Sequence, residues 1–240
     1  MLIEIDLHTH SVASTHAYST VKELVQSAKE NTLKGFALTD HTGVMPDAPH
    51  LWHFHNLRCL PPEIDGIRVL KGAEANIIDT GGNVDMTQRD LADLDWVIAS
   101  FHIHVIDGLT SGEYTDAYIN LAENPFVDAV GHPACSRFPF DYEKVVKVYK
   151  QYGKFLEINE SNMNARAGAQ ELTEHLLRLC MQFDVPVVVS SDCHFCDSIG
   201  KTPKIEGIMR KLKFPYELIF NRKMETVLEY IAKRKKSTNE

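Results

Sequence analysis

The sequence predicts an α/β protein whose strands close into a seven-stranded, TIM-like (β/α) barrel. Seven short apolar runs recur along the 240 residues, each ending abruptly in polar residues, and amphipathic segments lie between most of them. Strands that alternate with helices form a parallel sheet, and continuous apolar strands are buried on both faces. Polar residues follow all seven runs, which favours a closed barrel over an open sheet with a single crevice.

The seven apolar runs are the predicted strands. They are Leu2–Leu7, Gly35–Thr39, Ile67–Ala73, Trp96–Phe101, Phe126–Gly131, Phe155–Ile158 and Val185–Ser190. The clearest amphipathic segments predict helices over Val21–Asn31, Tyr142–Tyr152, Gln170–Phe183 and Met224–Lys233. Thr20 followed by Glu23 is typical of a capping box and predicts where the first helix begins.

Two segments do not follow this alternation of predicted strands and helices. Thr42–Asp65 contains four prolines and the aromatic Trp52, and it is long for a loop in a compact domain. Such a loop is often a lid or a binding loop, and an irregular surface excursion is the alternative. The basic run Lys233–Lys236 is interpreted as a frayed, solvated helix end.

Composition narrows the class of protein. A chain of 240 residues that is 44% hydrophobic is expected to form one domain over 1–240. A net charge of −8 argues against a surface that coats nucleic acid, although bound cations would still allow a phosphate-bearing substrate. Five cysteines without paired zinc motifs indicate a reduced setting. With no signal peptide and no membrane span in the sequence, we expect a soluble, cytoplasmic protein.

Side chains able to bind metals cluster directly after the predicted strands. Seven of the twelve histidines lie at or just past strand ends, together with two carboxylates. Buried unpaired imidazoles and carboxylates cost free energy, and a metal cluster removes that cost. The candidate ligands are His8, His10, His16, His41, Glu74, His102, His132, Asp192 and His194.

Strand geometry and ligand number refine this prediction. Successive side chains on a strand point to opposite faces, so His8 and His10 share one face, and Asp192 and His194 converge by the same parity. Imidazoles and carboxylates suit zinc, manganese and iron. Nine ligands are too many for one ion, and with Glu74 as a bridge they could hold three.

These residues resemble the four motifs of the PHP (polymerase and histidinol phosphatase) superfamily over nearly the whole chain. The matching motifs are Asp6-Leu-His8-Thr-His10, His16, Thr39-Asp40-His41, Gly72-Ala-Glu74, His102, Gly131-His132-Pro and Ser191-Asp192-Cys-His194. Residues 12–20 and 47–54 are similar to the small YcdX-like phosphatases of that superfamily. The resemblance implies a distorted (β/α)7 barrel and a centre of three divalent ions, usually zinc and sometimes manganese or iron.

The resemblance also implies which ligands go together. The first ion would take His8, His10, Glu74 and Asp192, the second would share Glu74 with His102 and His132, and the third would take His16, His41 and His194. Asp40 would support a neighbouring ligand. The remaining histidines, His50, His53, His55, His104 and His175, match no ligand position, with His50 and His53 the best candidates for contacts from a substrate loop.

The resulting hypothesis is a phosphatase that hydrolyses a small phosphate monoester, through attack by a metal-bridging hydroxide in line with the leaving alcohol. Catalytic roles fall to His102, His132 and Asp192 through the ions they bind. Arg166 is the candidate phosphate clamp, because a guanidinium binds such oxygens bidentately, and a solvent-exposed loop arginine is the alternative. A small phosphorylated metabolite is the expected partner. A membrane is not expected, nucleic acid is disfavoured, and a homo-oligomer stays open.

Three other functions compete with this hypothesis. An amidohydrolase-type lactone or amide hydrolase also begins with two histidines spaced by one residue, but it often needs a carboxylated lysine, and Lys71 lies on the opposite strand face from Glu74. A nuclease or phosphodiesterase would need an aromatic and basic track, of which only Trp52 is evident. A non-catalytic metal-binding PHP module is the third alternative.

Overall fold

The computed structural model describes residues 2–238, which contain one eight-stranded sheet. Its strands are β1 (Ile5–Thr9), β2 (Gly35–Leu38), β3 (Glu63–Ile64), β4 (Ile67–Asn76), β5 (Trp96–Ser100), β6 (Ala129–Val130), β7 (Phe155–Asn159) and β8 (Val187–Ser190). Seven strands pair in parallel in the order β1-β2-β4-β5-β6-β7-β8. The short β3 pairs antiparallel with the first two residues of β4, Ile67 and Arg68.

Helices connect the parallel strands. They are α1 (Val21–Glu30), α2 (Trp52–Asn56), α3 (Gln88–Ala92), α4 (Ser111–Ala122), α5 (Tyr142–Tyr152), α6 (Glu160–Ala165), α7 (Ala169–Phe183), α8 (Pro203–Leu212) and α9 (Met224–Ser237). The predicted capping box at Thr20 and Glu23 is present and opens α1. An equivalent box at Thr110 and Glu113 opens α4, a helix that the amphipathic spacing did not single out. None of the helices in residues 2–238 is long and apolar enough to cross a membrane.

The sheet is nearly closed into a barrel, which confirms the predicted fold class. β1 and β8 are linked by a bridge between Thr9 and Cys193 rather than by a full ladder. The buried side chain of Asn221 fills the gap. Its Nδ2 donates to the carbonyls of Ile5 and Val189, both at 2.7 Å, and its Oδ1 accepts from the amide of Val189 at 3.0 Å. One amide side chain thus replaces part of the missing strand pairing.

A separate apolar cluster fills the barrel interior. It includes Leu7, Trp96 and Val188 from the strands, and Val227 and Ile231 from α9. The larger remaining core lies between the strands and the surrounding helices. Because α9 packs beneath the amino-terminal ends of the strands, the carboxyl-terminal ends are left open for a site, as is usual in barrels of this type.

Two segments are more ordered than the sequence predicted, and a lid or binding role for the first of them stays a prediction. The stretch Thr42–Asp65 is not without structure, since it contains α2, a 3-10 turn at Leu57–Cys59 and β3. The basic run Lys233–Lys236 is a helical segment of α9 rather than a frayed end, and only Lys233 and Lys236 are exposed. Arg234 is buried, donates to the carbonyl of Leu94 at 2.9 Å and pairs with Asp128 at 3.2 Å. Basic side chains on α9 therefore anchor that helix under the barrel.

Candidate metal centre

A β-bulge in β1 sets the direction of the first candidate ligand. Asp6 pairs with Phe36 and Thr9 pairs with Leu38, so Leu7 and His8 together oppose a single residue of β2. Leu7 packs into the interior core, while the ring of His8 contacts Glu74. Bulges of this kind often lie beside active sites, where they redirect a side chain. The bulge allows an apolar core residue and a polar site residue to follow one another on the same side.

Four side chains form a compact group at the top of the barrel. The Nε2 atoms of His8 and His10 lie 3.1 Å apart. The carboxylate of Asp192 lies 3.5 Å from His8 Nε2 and 3.2 Å from His10 Nε2. The corresponding distances from Glu74 are 3.2 and 3.5 Å. This group has the composition expected for the first ion.

Glu74 joins this group to a second one. Its Oε1 lies 3.0 Å from His132 Nε2 and 3.4 Å from His102 Nε2, whereas its Oε2 faces His8 and His10. β4 continues to Asn76, three residues beyond its predicted end, so Glu74 is held within a strand rather than in a loop. A carboxylate with different histidines on its two oxygens is suited to bridging two ions.

The third group is arranged less simply than the resemblance implies. The ring centroid of His16 lies 5.3 Å from that of His41 and 4.4 Å from that of His194. The ring of His41 also stacks on that of His10, with 4.6 Å between centroids. Ligand atoms of His10, His41 and His194 fall within 4.8 Å of one another, as do those of His16, His41 and Asp47. The structure therefore adds Asp47, whose carboxylate lies 2.8 Å from His16 Nδ1.

Backbone strain places two of these side chains. His132 and Asp192 both adopt positive φ, at 30° and 53°, and each lies two residues after its strand ends. Such conformations are costly for residues other than glycine, and they cluster at functional sites. The strain turns both side chains towards Glu74 and His10.

The donor set fits divalent ions. His41 Nδ1 and Asp192 Oδ1 are buried and make no well-directed hydrogen bond within residues 2–238, although Glu74 lies 3.3 Å from the first atom and His10 lies 3.2 Å from the second. A buried polar atom without a partner is costly, and a coordinated cation would satisfy it. Imidazole nitrogens together with carboxylate oxygens are the ligands that zinc, manganese and iron share. This group of residues could therefore hold divalent metal ions.

Two further polar residues orient the candidate ligands from behind. Glu157 is buried, and its carboxylate contacts His8 Nδ1 at 2.7 Å and accepts from the amide of His132 at 2.5 Å. Asn76 Oδ1 contacts His102 Nδ1 at 2.7 Å. Contacts of this type fix the ring orientation of metal ligands. Glu157 was visible in the sequence as an acidic residue in a strand, but no motif assigned it a role.

Asp40 also lies behind the ligands. Its carboxylate accepts from Ser14 Oγ at 2.9 Å and contacts His53 Nε2 at 3.1 Å. Ser14 Oγ in turn accepts from the amide of His41. His53 on α2 is thus connected through Asp40 and Ser14 to the backbone of the candidate ligand His41.

The remaining predicted residues occupy varied positions. Arg166 is half-buried, and its Nη1 lies 3.3 Å from His132 Nδ1 and donates to Asn162 Oδ1 at 2.8 Å. Lys71 lines a surface cavity that none of the nine candidate ligands lines, which removes the main feature of an amidohydrolase site. Three other histidines contact residues outside the cluster: His50 packs against Trp52, His55 contacts Asp90 and His175 packs against Tyr142. His104 lines a cavity together with His102.

Burial and charge set the protonation states of the cluster. Burial lowers the pKa of His41 to about 2 and that of His194 to about 4, so both rings are neutral at pH 7. Burial also opposes the charged form of His8. The carboxylates of Glu157, Asp192 and Glu74 outweigh that effect and raise the pKa of His8 well above its ordinary value. Nearby histidines hold the pKa of Glu74 well below the usual range of a carboxyl group, against its burial.

These directions predict the proton balance of metal binding. Glu74 and Asp192 have lowered pKa values and are already ionised, whereas His8 must lose a proton before Nε2 can bind a cation. Loading the metal-free protein at pH 7 should therefore release protons, including the one on His8, and affinity should rise with pH. Calorimetric titration in buffers of different ionisation enthalpy measures the number of protons released. Glu157→Gln removes a charge that raises the pKa of His8 and should reduce the release; an equal release in both proteins would contradict the assignment.

Comparison with known proteins agrees with the fold and with a phosphatase of the PHP domain family. The family model described as PHP domain matches residues 6–161. A probable phosphatase of Acetivibrio thermocellus is 43% identical over 98% of both chains. One of Photobacterium profundum is 37% identical over 97% of this chain and 95% of its own. The solved histidinol phosphate phosphatase of Lactococcus lactis, complexed with zinc, L-histidinol and phosphate, shares the fold with a TM-score of 0.62. It is 18% identical over 88% of this chain and 94% of its own.

The barrel, the histidine and carboxylate cluster and these relatives together define a metal-dependent phosphatase. The chain belongs to the PHP domain family.

Proposed function

We propose that this phosphatase hydrolyses small phosphate monoesters at a centre of three divalent ions, with zinc the best-suited ion and manganese or iron as alternatives. The observation that carries the proposal is the position of Glu74. Its two carboxylate oxygens face different histidines, which is the arrangement that a shared ligand needs. Ions bound there would lower the pKa of water and neutralise charge on the phosphoryl group.

Each of the three ions would be held by its own group of residues. We propose His8, His10, Glu74 and Asp192 as ligands of the first ion, Glu74, His102 and His132 of the second, and His16, His41 and His194 of the third. Asp47 lies beside His16 and is added to the third group. We also propose that 1–240 forms a single domain, because β8 and α9, which lie beyond the residues matched by the family model, complete the barrel and its floor.

Arg166 is proposed to hold the phosphoryl group. It lies beside His132, and within residues 2–238 none of the carboxylates forms an ion pair with it. A half-buried guanidinium without an anion attracts a phosphate, and its planar N–H groups match two phosphoryl oxygens. Asn162 accepts from Nη1 and fixes the side chain at the edge of the cluster.

Metal analysis by mass spectrometry, coupled to phosphate release from a panel of monoesters, tests the proposal. We expect about three ions per chain, and His132→Ala should abolish turnover because Glu74 loses one of its neighbours. Near-normal turnover by that variant would contradict the ligand assignment, and a pure, metal-loaded protein without phosphatase activity on any ester would remove the substrate class.

Arg166→Met provides a separate test of the phosphate clamp. Losing a hydrogen bond to a charged group costs about 1.5–3 kcal/mol, so kcat/KM should fall by roughly 10- to 100-fold. Metal content measured on the same samples separates a lost phosphate contact from a disturbed ligand, because Arg166 also contacts His132 Nδ1 at 3.3 Å. Arg178→Met is the matched control, since Arg178 is an exposed arginine paired with Glu174 on α7. Equal kinetics for the two variants would assign Arg166 a surface role.

A further inference from the structure

Two cavities flank the metal centre, and they differ in character. The first, of about 480 Å³, lies beside His102 and Arg166. The second, of about 500 Å³, lies on the other side, beside Asp192 and His194. A phosphoryl group held at the centre would have its ester oxygen directed towards one of them, so one cavity must receive the alcohol part of the substrate.

The first cavity has apolar walls. Ile103, Cys135, Phe138 and Ala167 contribute to its lining. Ile103 is 56% exposed although it is a large aliphatic residue, and Phe138 is buried behind it. Small-molecule pockets combine hydrophobic walls with a few polar groups, so these side chains beside a reactive centre favour an apolar ligand. Space is sufficient, because a cavity of roughly 150 Å³ already accepts benzene.

The second cavity is lined mainly by polar side chains. Glu160, Ser161, Asn164, Ser198 and Lys201 are among them. Phe195, which is 51% exposed, and Pro203 also contribute to its lining. The proposed phosphate clamp Arg166 also lies in the first cavity and is absent from the lining of the second. The position of Arg166 favours the first cavity for the alcohol, because the ester oxygen lies next to the phosphoryl group that Arg166 would hold.

The charged side chains at the first cavity do not require the substrate to carry a second anionic group besides the phosphate. Its other arginine, Arg137, already donates from Nε to Asp107 at 2.8 Å, and a second N–H of the same guanidinium contacts the other carboxylate oxygen. Arg137 is therefore largely neutralised, which leaves Arg166 as the cation facing the phosphoryl group.

We propose that the alcohol part of the substrate binds in this first cavity and that it has a neutral, apolar body such as an aromatic ring. The inference rests on the proposed function and adds the class of alcohol to it. Arg166 would hold the phosphoryl group at the boundary, while Ile103 and Phe138 contact the carbon skeleton beyond the ester oxygen. The family of accepted substrates would then be organic phosphates with apolar alcohols rather than short polar ones.

Benzyl phosphate and ethyl phosphate separate this inference from the chemistry, because both release alkyl alcohols of similar basicity. An apolar pocket distinguishes even one methylene by roughly tenfold, so the wild-type kcat/KM should favour benzyl phosphate by at least about 10-fold. Ser136→Trp fills the first cavity with an indole ring from an exposed position, and it should remove most of that preference while affecting ethyl phosphate far less.

Ser198→Trp is the matched control, since Ser198 is an exposed serine that lines the second cavity. It should keep the preference for benzyl phosphate. Binding of benzyl alcohol, followed by saturation-transfer NMR, supplies a readout independent of turnover, and only Ser136→Trp should weaken it. Equal wild-type kcat/KM for the two esters, or loss of the preference in Ser198→Trp but not in Ser136→Trp, would overturn the inference. Failure to release phosphate from either ester would instead overturn the proposed function.

Discussion

Glu74→Gln is expected to lower kcat/KM for a phosphate monoester by more than about 100-fold. Replacing a residue that only orients a metal ligand lowers activity or metal affinity by roughly 10- to 100-fold. Replacing a ligand that two ions share should lower them further. Glu74 is buried, and its two oxygens lie within 3.5 Å of nitrogen atoms from five histidines, His8, His10, His41, His102 and His132. Glutamine keeps the shape but removes the negative charge that offsets bound cations.

Metal content and turnover should fall together in this variant. Elemental analysis after dialysis, with steady-state phosphate release on the same samples, measures both. Glu157→Gln is the graded comparison, because Glu157 contacts the outer nitrogen of His8, and its loss should cost about 10- to 100-fold. If Glu74→Gln kept the wild-type metal content and turnover, the bridging role would have to be abandoned.

Much of the fold and of the candidate site can be predicted because both depend on local patterns. Burial on both faces of parallel strands produces apolar runs, and the carboxyl ends of such strands meet at one rim. His8, His10 and Glu74 could therefore be assigned to one place before any distance was known, and the structure brings them within 3.5 Å of one another.

Features that depend on distant contacts could not be predicted. Asp47 reaches His16 from a proline-containing stretch with no periodicity, so only the folded loop reveals it. The bulge at Leu7 and His8 arises from pairing with β2, and strand parity alone does not show it. Arg234 lies in a run of basic residues, and its burial depends on carbonyls that precede β5 and β6. Each of these features is decided by tertiary structure.

Asn221→Ala is expected to cause a large loss of stability although the residue lies away from the metal centre. The residue is fully buried and has no neighbours of catalytic type, but it connects the two strands that fail to pair. Alanine would leave the amide of Val189 and the carbonyls of Ile5 and Val189 without that partner. Each buried group left unsatisfied costs about 1–3 kcal/mol, so the free energy of unfolding should fall by about 3 kcal/mol or more.

Thermal unfolding measures this effect. For a chain of this size, each kcal/mol shifts Tm by roughly 2–4 °C, which gives an expected decrease of at least about 6 °C. Asn120→Ala is the matched control, because Asn120 is exposed on α4 and its side chain donates only to the carbonyl of Thr80. That substitution should change stability by no more than about 0.5 kcal/mol. Equal Tm values for the two variants would mean that the contact between β1 and β8, rather than Asn221, holds the barrel closed.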